Sequence, residues 1–309
     1  MEANKCAIAI LSHDATDRAE ALKYTLWSLS SSTDLSGIDI HIFFDHYNDD
    51  MLAVLQDFLA GNKIPEINLH LNENPEINGC GKSVNWIWEV TKNYEYTLFL
   101  EGDWVLLPQY SNTWLKDLIA LMDLYPNVAS TFLRHFHCDY EMRQYNAVLY
   151  WHNPSNRLEE FRFGNGNQLI YRITNGIYTN NPHLRRNSMY ENLGVLPLNV
   201  YDEPDTKDSN NWSKPEQDAE NKLHSAEIFV IPDGLFEHYE FSHDKNEFTY
   251  DDKIMLKAHT VHCPNGLTCR FGFQQENKNY CKACQSCKSP ELYDVEQHYI
   301  EGEFWRNEE

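Results

Sequence analysis

Positive charge is scarce in this chain. Its 309 residues carry 25 Lys and Arg against 47 Asp and Glu, a formal charge of −22. A nucleic-acid partner demands a basic face, and so does an anionic membrane surface; neither is expected here. Acidity of this kind serves solubility. Long hydrophobic runs are also missing, and no segment approaches the ~20 apolar residues of a membrane helix. The apolar part of Met1–Ile10 is too short for a signal peptide and reads as a first strand. A soluble, cytoplasmic protein is the expectation, in which the Asn211-Trp212-Ser213 sequon has little meaning. Glycine-rich phosphate loops are absent too. Gly81-Lys82-Ser83 looks like the end of a P-loop, but the pattern needs glycine where Glu76 stands. Gly164 and Gly166 lack the third glycine of a dinucleotide fingerprint and precede a strand rather than a helix. No internal repeat interrupts the chain.

What is present is an alternation of short apolar runs and amphipathic stretches. Cys6–Leu11, Ile38–Phe44, Glu66–Leu71 and Tyr96–Leu100 read as strands. Arg18–Ser30, Asp50–Ala60, Lys82–Thr91 and Trp114–Leu124 read as helices. Strands alternating with helices of this length predict a parallel sheet covered on both faces, with ligands at the carboxyl ends of its strands. From 130 to 260 the pattern is irregular and rich in aromatics. Leu169–Tyr171, Ile228–Ile231 and Phe236–His238 read as strand, Asn181–Arg186 as a polar turn, and Pro215–Leu223 as a helix start. The acidic Tyr201–Pro215 segment is the best candidate for a mobile loop.

The densest signal is Tyr96–Leu107. An apolar run stops at Glu101-Gly102-Asp103, and a second apolar run, Val105–Leu107, follows at once. Two carboxylates at i and i+2, at the end of a buried strand, converge on a point where a hard cation can sit, and the glycine between them permits close approach. Such a site suits Mg²⁺ or Mn²⁺, its remaining positions filled by a diphosphate and water. Arg185 and Arg186, the only adjacent basic pair, together with His183, are candidates for holding that diphosphate or an acceptor.

This series of motifs resembles the nucleotide-sugar-binding GT-A glycosyltransferases, of a family 2-like kind, over roughly residues 6 to 245. Ile8–His13 is similar to their first strand and His41–Asp45 to their second. Asn78-Gly79 with Asn85 is similar to their Asn-Gly loop and helix, and Phe99–Trp104 to their Asp-x-Asp segment. Pro215–Asp218 followed by Ile228–Pro232 is similar to their Glu-Asp helix and next strand. The resemblance implies a mixed, mostly parallel central sheet flanked by helices. It implies Ser12, His13, Asp45, Asn78, Gly79, Asn85 and Glu101 at the nucleotide sugar, beside the Arg185 suggested by its charge, and Asp103 with Glu101 on the metal, with His238 as a candidate further ligand. It also implies a metal-dependent transfer of a sugar to a hydroxyl of a glycan, protein or small molecule; inversion is the expected outcome, with Asp218, or else Glu216, as general base, and a retaining enzyme of this fold is the alternative that would not need that base. The usual adjacent Glu-Asp pair is split here into Glu216-Gln217-Asp218, and the first acid of the metal segment is Glu101 rather than Asp.

Two rivals remain at this level. A nucleotidyltransferase acting on a sugar phosphate shares the sheet and the carboxylates, but it needs a basic, glycine-rich loop after the first strand. Ser12–Arg18 has no glycine and one basic residue. A non-catalytic carbohydrate- or protein-binding module is the other rival, with aromatic residues suited to stacking on sugars.

The tail differs in kind. Five of the eight cysteines fall between 263 and 287, as Cys263, Cys269, Cys281, Cys284 and Cys287. In a cytosolic chain such short spacings favour Zn²⁺ over disulfides. The first four are the preferred ligands, with Cys287 exchangeable. The expected organisation is a GT-A-like domain over 1–258, with a nucleotide-sugar half to 130 and an acceptor half beyond it, and a Cys-rich, zinc-stapled tail over 259–309.

Overall fold

A computed structural model describes residues 5–12, 18–61, 67–73, 80–107, 111–135, 157–163, 168–174, 181–191, 226–231, 234–238, 261–262 and 268–269. The strands are β1 (Cys6–Ser12), β2 (Ile38–Phe44), β3 (Ile67–Leu71), β4 (Tyr96–Glu101), β5 (Trp104–Leu106), β6 (Val128–Phe132), β7 (Arg134–His135), β8 (Arg157–Phe163), β9 (Gln168–Ile173), β10 (His183–Arg186), β11 (Glu227–Val230), β12 (Phe236–His238), β13 (Val261–His262) and β14 (Thr268–Cys269). The helices are α1 (Arg18–Ser32), α2 (Asp49–Gly61), α3 (Cys80–Thr91), α4 (Trp114–Leu124) and the short α5 (Asn187–Tyr190).

The apolar runs of β1, β2 and β4 are buried on both sides, as strands of a parallel sheet must be. One face of the sheet packs Ile8, Ile10, Ile40 and Leu98 against Leu22 and Leu26 of α1, Leu55 of α2 and Leu118 of α4. The other packs Ala9, Phe43 and Phe99 against Val84 and Ile87 of α3 and Tyr190 of α5. Asn48 accepts a hydrogen bond from the Met51 amide at 2.9 Å and so caps α2, whose first turn carries Asp49 and Asp50.

The main sheet has nine strands in the order β3-β2-β1-β4-β10-β6-β11-β9-β8. The first four are mutually parallel. β10 then runs antiparallel to both β4 and β6, and β11 is parallel to β6. The result is the mixed sheet that the family resemblance implies. It corrects the reading of Asn181–Arg186 as a polar turn: His183–Arg186 is a fully buried central strand. Its polar side chains are covered by rings and carbonyls supplied from elsewhere. Arg186 donates to the Tyr96 hydroxyl at 2.7 Å and to the Met122 and Val128 carbonyls. His183 stacks between Phe99 and Tyr190.

A small second sheet, β5-β12-β7, sits just beyond the end of β4. Gly234, with φ of 59°, makes the turn that carries the chain from β11 into β12, its amide bonded to the Ile231 carbonyl. In the tail, β13 and β14 form a two-stranded antiparallel ladder that pairs Val261 with Cys269. Among the described residues no helix is long and apolar enough to cross a membrane.

Candidate active site at the carboxyl rim

The strand ends β1, β2, β3 and β4 meet at one rim, and backbone hydrogen bonds join them there. The Asp45 amide donates to the Ser12 carbonyl at 3.0 Å, and the Gly102 amide to the Leu11 carbonyl at 2.7 Å. Asp45 and the Glu101-Gly102-Asp103 turn therefore flank the same end of β1. On the far side of β2, Asn72 donates its amide to the Phe44 carbonyl and its carboxamide to the Asp45 carbonyl.

The turn itself is pinned from below by α1. Thr25 donates to the Gly102 carbonyl at 2.9 Å, and the Leu106 amide donates to the Ser28 hydroxyl at 3.0 Å. These two hydroxyls lie on the buried side of α1, where an amphipathic reading of the helix expects only packing. Gly102 is required by contact rather than by dihedral angle. A Cβ there would lie 3.0 Å from the Ser12 hydroxyl oxygen and 3.2 Å from its Cβ. Asp103 is 2 % exposed, Glu101 is half-buried and accepts from the Trp104 indole at 3.4 Å, and the Ser12 hydroxyl makes no hydrogen bond among the described residues.

This donor set fits a hard divalent cation: two carboxylates, a hydroxyl and a glycine cradle that any side chain would fill. It does not amount to a closed protein cage, since among the described residues no three His, Cys, Asp or Glu side chains form a metal-binding group. Mg²⁺ and Mn²⁺ are commonly held in this way, by one or two carboxylates with substrate oxygens and water completing the shell. Strand register brings one more expected ligand to the same place. His238 pairs with Trp104, the neighbour of Asp103, across the β5–β12 ladder. Only its backbone is among the described features.

Asn85 lies half-buried in the second turn of α3. His13, Asn78, Gly79, Glu216, Asp218, Cys263, Cys281, Cys284 and Cys287 lie outside the described residues, as does the Tyr201–Pro215 segment, and Cys269 is described only as backbone.

Arg185 is the expectation that fails. It pairs with Thr97, four residues before Glu101 and so ~13 Å back along β4 from the rim. It is 1 % exposed, donates to Thr91 and lies over the rings of Trp88 and Tyr190. A guanidinium enclosed in this way holds α3 and α5 to the sheet and cannot meet a diphosphate. His183, 3 % exposed, offers a diphosphate no positive charge. Burial, with the Arg185 charge beside it, lowers its pKa to about 3, so it stays neutral.

A second polar cluster occupies the α3 face. Tyr94 donates to Asp39 at 2.7 Å, so its oxygen accepts from His41 Nε2 at 3.0 Å; His41 Nδ1 then accepts from His70 Nε2 at 2.9 Å. Burial lowers the pKa of both histidines, and for His41 the neighbouring His70 adds to the effect.

No family model and no curated protein matches the sequence. Solved structures do. The mannosyltransferase PcManGT from Pyrobaculum calidifontis, in complex with GDP-Man and Mn²⁺, superposes with a TM-score of 0.50 at 9 % identity, over 96 % of this chain and 72 % of that one. S. aureus TarS 1–349 in complex with UDP-GlcNAc gives 0.50 at 16 %, over 96 % and 78 %. GalNAc-T7 with UDP, GalNAc and Mn²⁺ gives 0.50 at 12 %, over 96 % and 58 %. Against a longer TarS chain, this one spans 37 % of the partner's length. Identities this low speak to architecture alone. Strand order, rim geometry and these likenesses agree that the chain has the GT-A fold of nucleotide-sugar glycosyltransferases.

Proposed function

We propose that this protein is a metal-dependent glycosyltransferase that moves a sugar from a nucleotide-sugar donor to an acceptor hydroxyl with inversion. The observation that carries the reading is the junction at the end of β1, where Ser12 and Leu11 tie Asp45 on one side to Glu101-Gly102-Asp103 on the other. In a doubly wound sheet this crevice is where a nucleotide lies. Asp45 would accept hydrogen bonds from base or ribose. Asp103 and Glu101 would hold Mn²⁺ or Mg²⁺, with His238 as a third ligand. Bound there, the cation would neutralise charge developing on the leaving diphosphate. Asp218, or Glu216 in its place, would take the proton from the acceptor hydroxyl as it attacks the anomeric carbon from the opposite face.

A turn pinned by Thr25 and by the Gly102–Leu11 bond favours this chemistry, because carboxylates on a fixed turn need little reorganisation at the moment of reaction. The soluble nucleotide-sugar enzyme we envisage carries a separate Cys-rich tail over 259–309, with Cys263, Cys269, Cys281 and Cys284, and Cys287 as an exchangeable ligand, closing a structural Zn²⁺ site. Metal analysis of purified protein should return about one zinc per chain.

The test of function is melting temperature across a panel of UDP- and GDP-sugars, with and without Mn²⁺. A true donor raises it by mass action only when metal is present, and release of the free nucleoside diphosphate follows when an acceptor is supplied. A panel in which no nucleotide sugar gives an Mn²⁺-dependent shift would sink the reading.

A further inference from the structure

We propose that Arg134 and Trp104 act as a positioning pair for Glu101, setting the orientation of its carboxylate and thereby the cation affinity of the rim. This rests on the reading of Glu101 and Asp103 as metal ligands. Arg134 is singled out by neither charge nor motif, and Trp104 only as the last residue of the Phe99–Trp104 segment; the small sheet brings them together.

Phe236 of β12 pairs with Leu106 of β5 on one side and with Arg134 of β7 on the other, while His238 pairs with Trp104. Cross-strand partners share a face, so Trp104, Leu106 and Arg134 project to the same side of this sheet. There the Arg134 guanidinium lies over the Trp104 indole, 5.1 Å from the ring centre, and donates to the Asn181 carboxamide at 2.5 Å. Both residues are buried, at 4 % and 2 % exposure. The indole N–H in turn points to Glu101 Oε2 at 3.4 Å.

A glutamate has three rotatable side-chain bonds, and a ligand that must be ordered on each binding event loses affinity for it. The backbone of the turn is fixed by Thr25 and Leu11. The indole donor selects one orientation of the carboxylate beyond that backbone, and the flat guanidinium keeps the indole from swinging away. Outer groups of this kind commonly change metal affinity by 10- to 100-fold.

Arg134 also carries a positive charge close to a cation site, and that effect has the opposite sign. Loss of charge alone would strengthen cation binding, whereas loss of the flat clamp weakens it. Arg134→Lys keeps the charge and loses the planar face. Arg134→Met loses both. Trp104→Phe keeps a ring and loses the N–H.

The experiment titrates Mn²⁺ into the full chain in the presence of excess UDP or GDP, following the melting temperature, with circular dichroism to verify folding. Wild type should respond to Mn²⁺ and Asp103→Asn should not. Arg134→Lys and Trp104→Phe should each need about 10-fold more Mn²⁺. The double variant should be no worse than the poorer single one, because both act along one path. If Arg134→Lys does not fold, Trp104→Phe alone decides: an unchanged Mn²⁺ midpoint overturns the pairing. Tighter Mn²⁺ binding by Arg134→Met with Trp104→Phe unchanged would also overturn it and leave Arg134 as a mere charge. No difference between wild type and Asp103→Asn would instead overturn the metal reading beneath it.

Discussion

The two rims of the central sheet handle charge in opposite ways. At the amino rim, cations and acids are paired and tied to backbone. Lys5 bonds Asp123 at 2.6 Å, Asp123 accepts from Tyr96 at 2.6 Å, and Arg186 reaches Tyr96 and the carbonyls of Met122 and Val128. At the carboxyl rim the acids Asp45, Glu101 and Asp103 gather around a glycine turn, where the strands are joined by main chain and by the Asn72 carboxamide. One rim closes the fold and the other presents oxygen ligands. A substitution at the first should cost stability, and one at the second should cost binding.

Arg186→Met offers the sharpest break. It removes donors to the Tyr96 hydroxyl and two carbonyls, and leaves those acceptors buried. A loss of about 3 kcal/mol or more is expected in urea unfolding, a large share of the ~5–15 kcal/mol that holds an ordinary domain folded. Gly102→Ala should cost about 1–3 kcal/mol, since the new Cβ must displace Ser12 or the end of β1. It should also abolish nucleotide-dependent stabilisation, which makes it the one change that damages both properties.

Acidification comes next. His183, His41 and His70 all have folded pKa values lowered by burial, His183 to about 3. Below pH ~6.5 the unfolded chain therefore binds more protons than the folded one. Stability present above that pH should fall as pH drops towards 3, and His183→Phe should flatten the lower part of that curve. A melting temperature independent of pH between 7 and 4 would contradict the assignment of these histidines as neutral. Asp103→Asn should move the melting temperature least, since a buried carboxylate becomes a neutral amide of the same shape, while Mn²⁺-dependent binding of UDP or GDP disappears. A stability loss comparable to that of Arg186→Met would place Asp103 among the fold-closing charges instead.

The parallel half of the sheet was legible in sequence because each element there declares itself locally. Cys6–Leu11, Ile38–Phe44 and Tyr96–Leu100 are apolar runs bounded by polar turns, and the structure extends them by a residue or less. The Glu101-Gly102-Asp103 turn was legible for the same reason, as a break between two such runs. β10 was not. His183, Arg185 and Arg186 look like surface polarity until Phe99, Trp88, Tyr190 and Tyr96 are placed around them, and those rings lie far away in the chain. The error about Arg185 follows directly, since two adjacent arginines suggest an anion only if they face water. Thr25, Ser28, Asn72 and Arg134 went unnoticed on similar grounds, because each acts through a backbone group or ring that sequence distance conceals.

The late arrival of β10 has a consequence for how the chain is made. The parallel strands β1 to β4 are all synthesised by residue 101, yet the outer edge of β4 is closed only by His183–Arg186. At a ribosomal rate of ~5–20 residues per second the nascent chain spends roughly 4–17 s with that buried, apolar edge unpaired. An open edge of this kind is a template for pairing with another chain. Nascent chains stalled between residues 107 and 182 should therefore recruit chaperones or aggregate more than chains long enough for β10 to pair with β4.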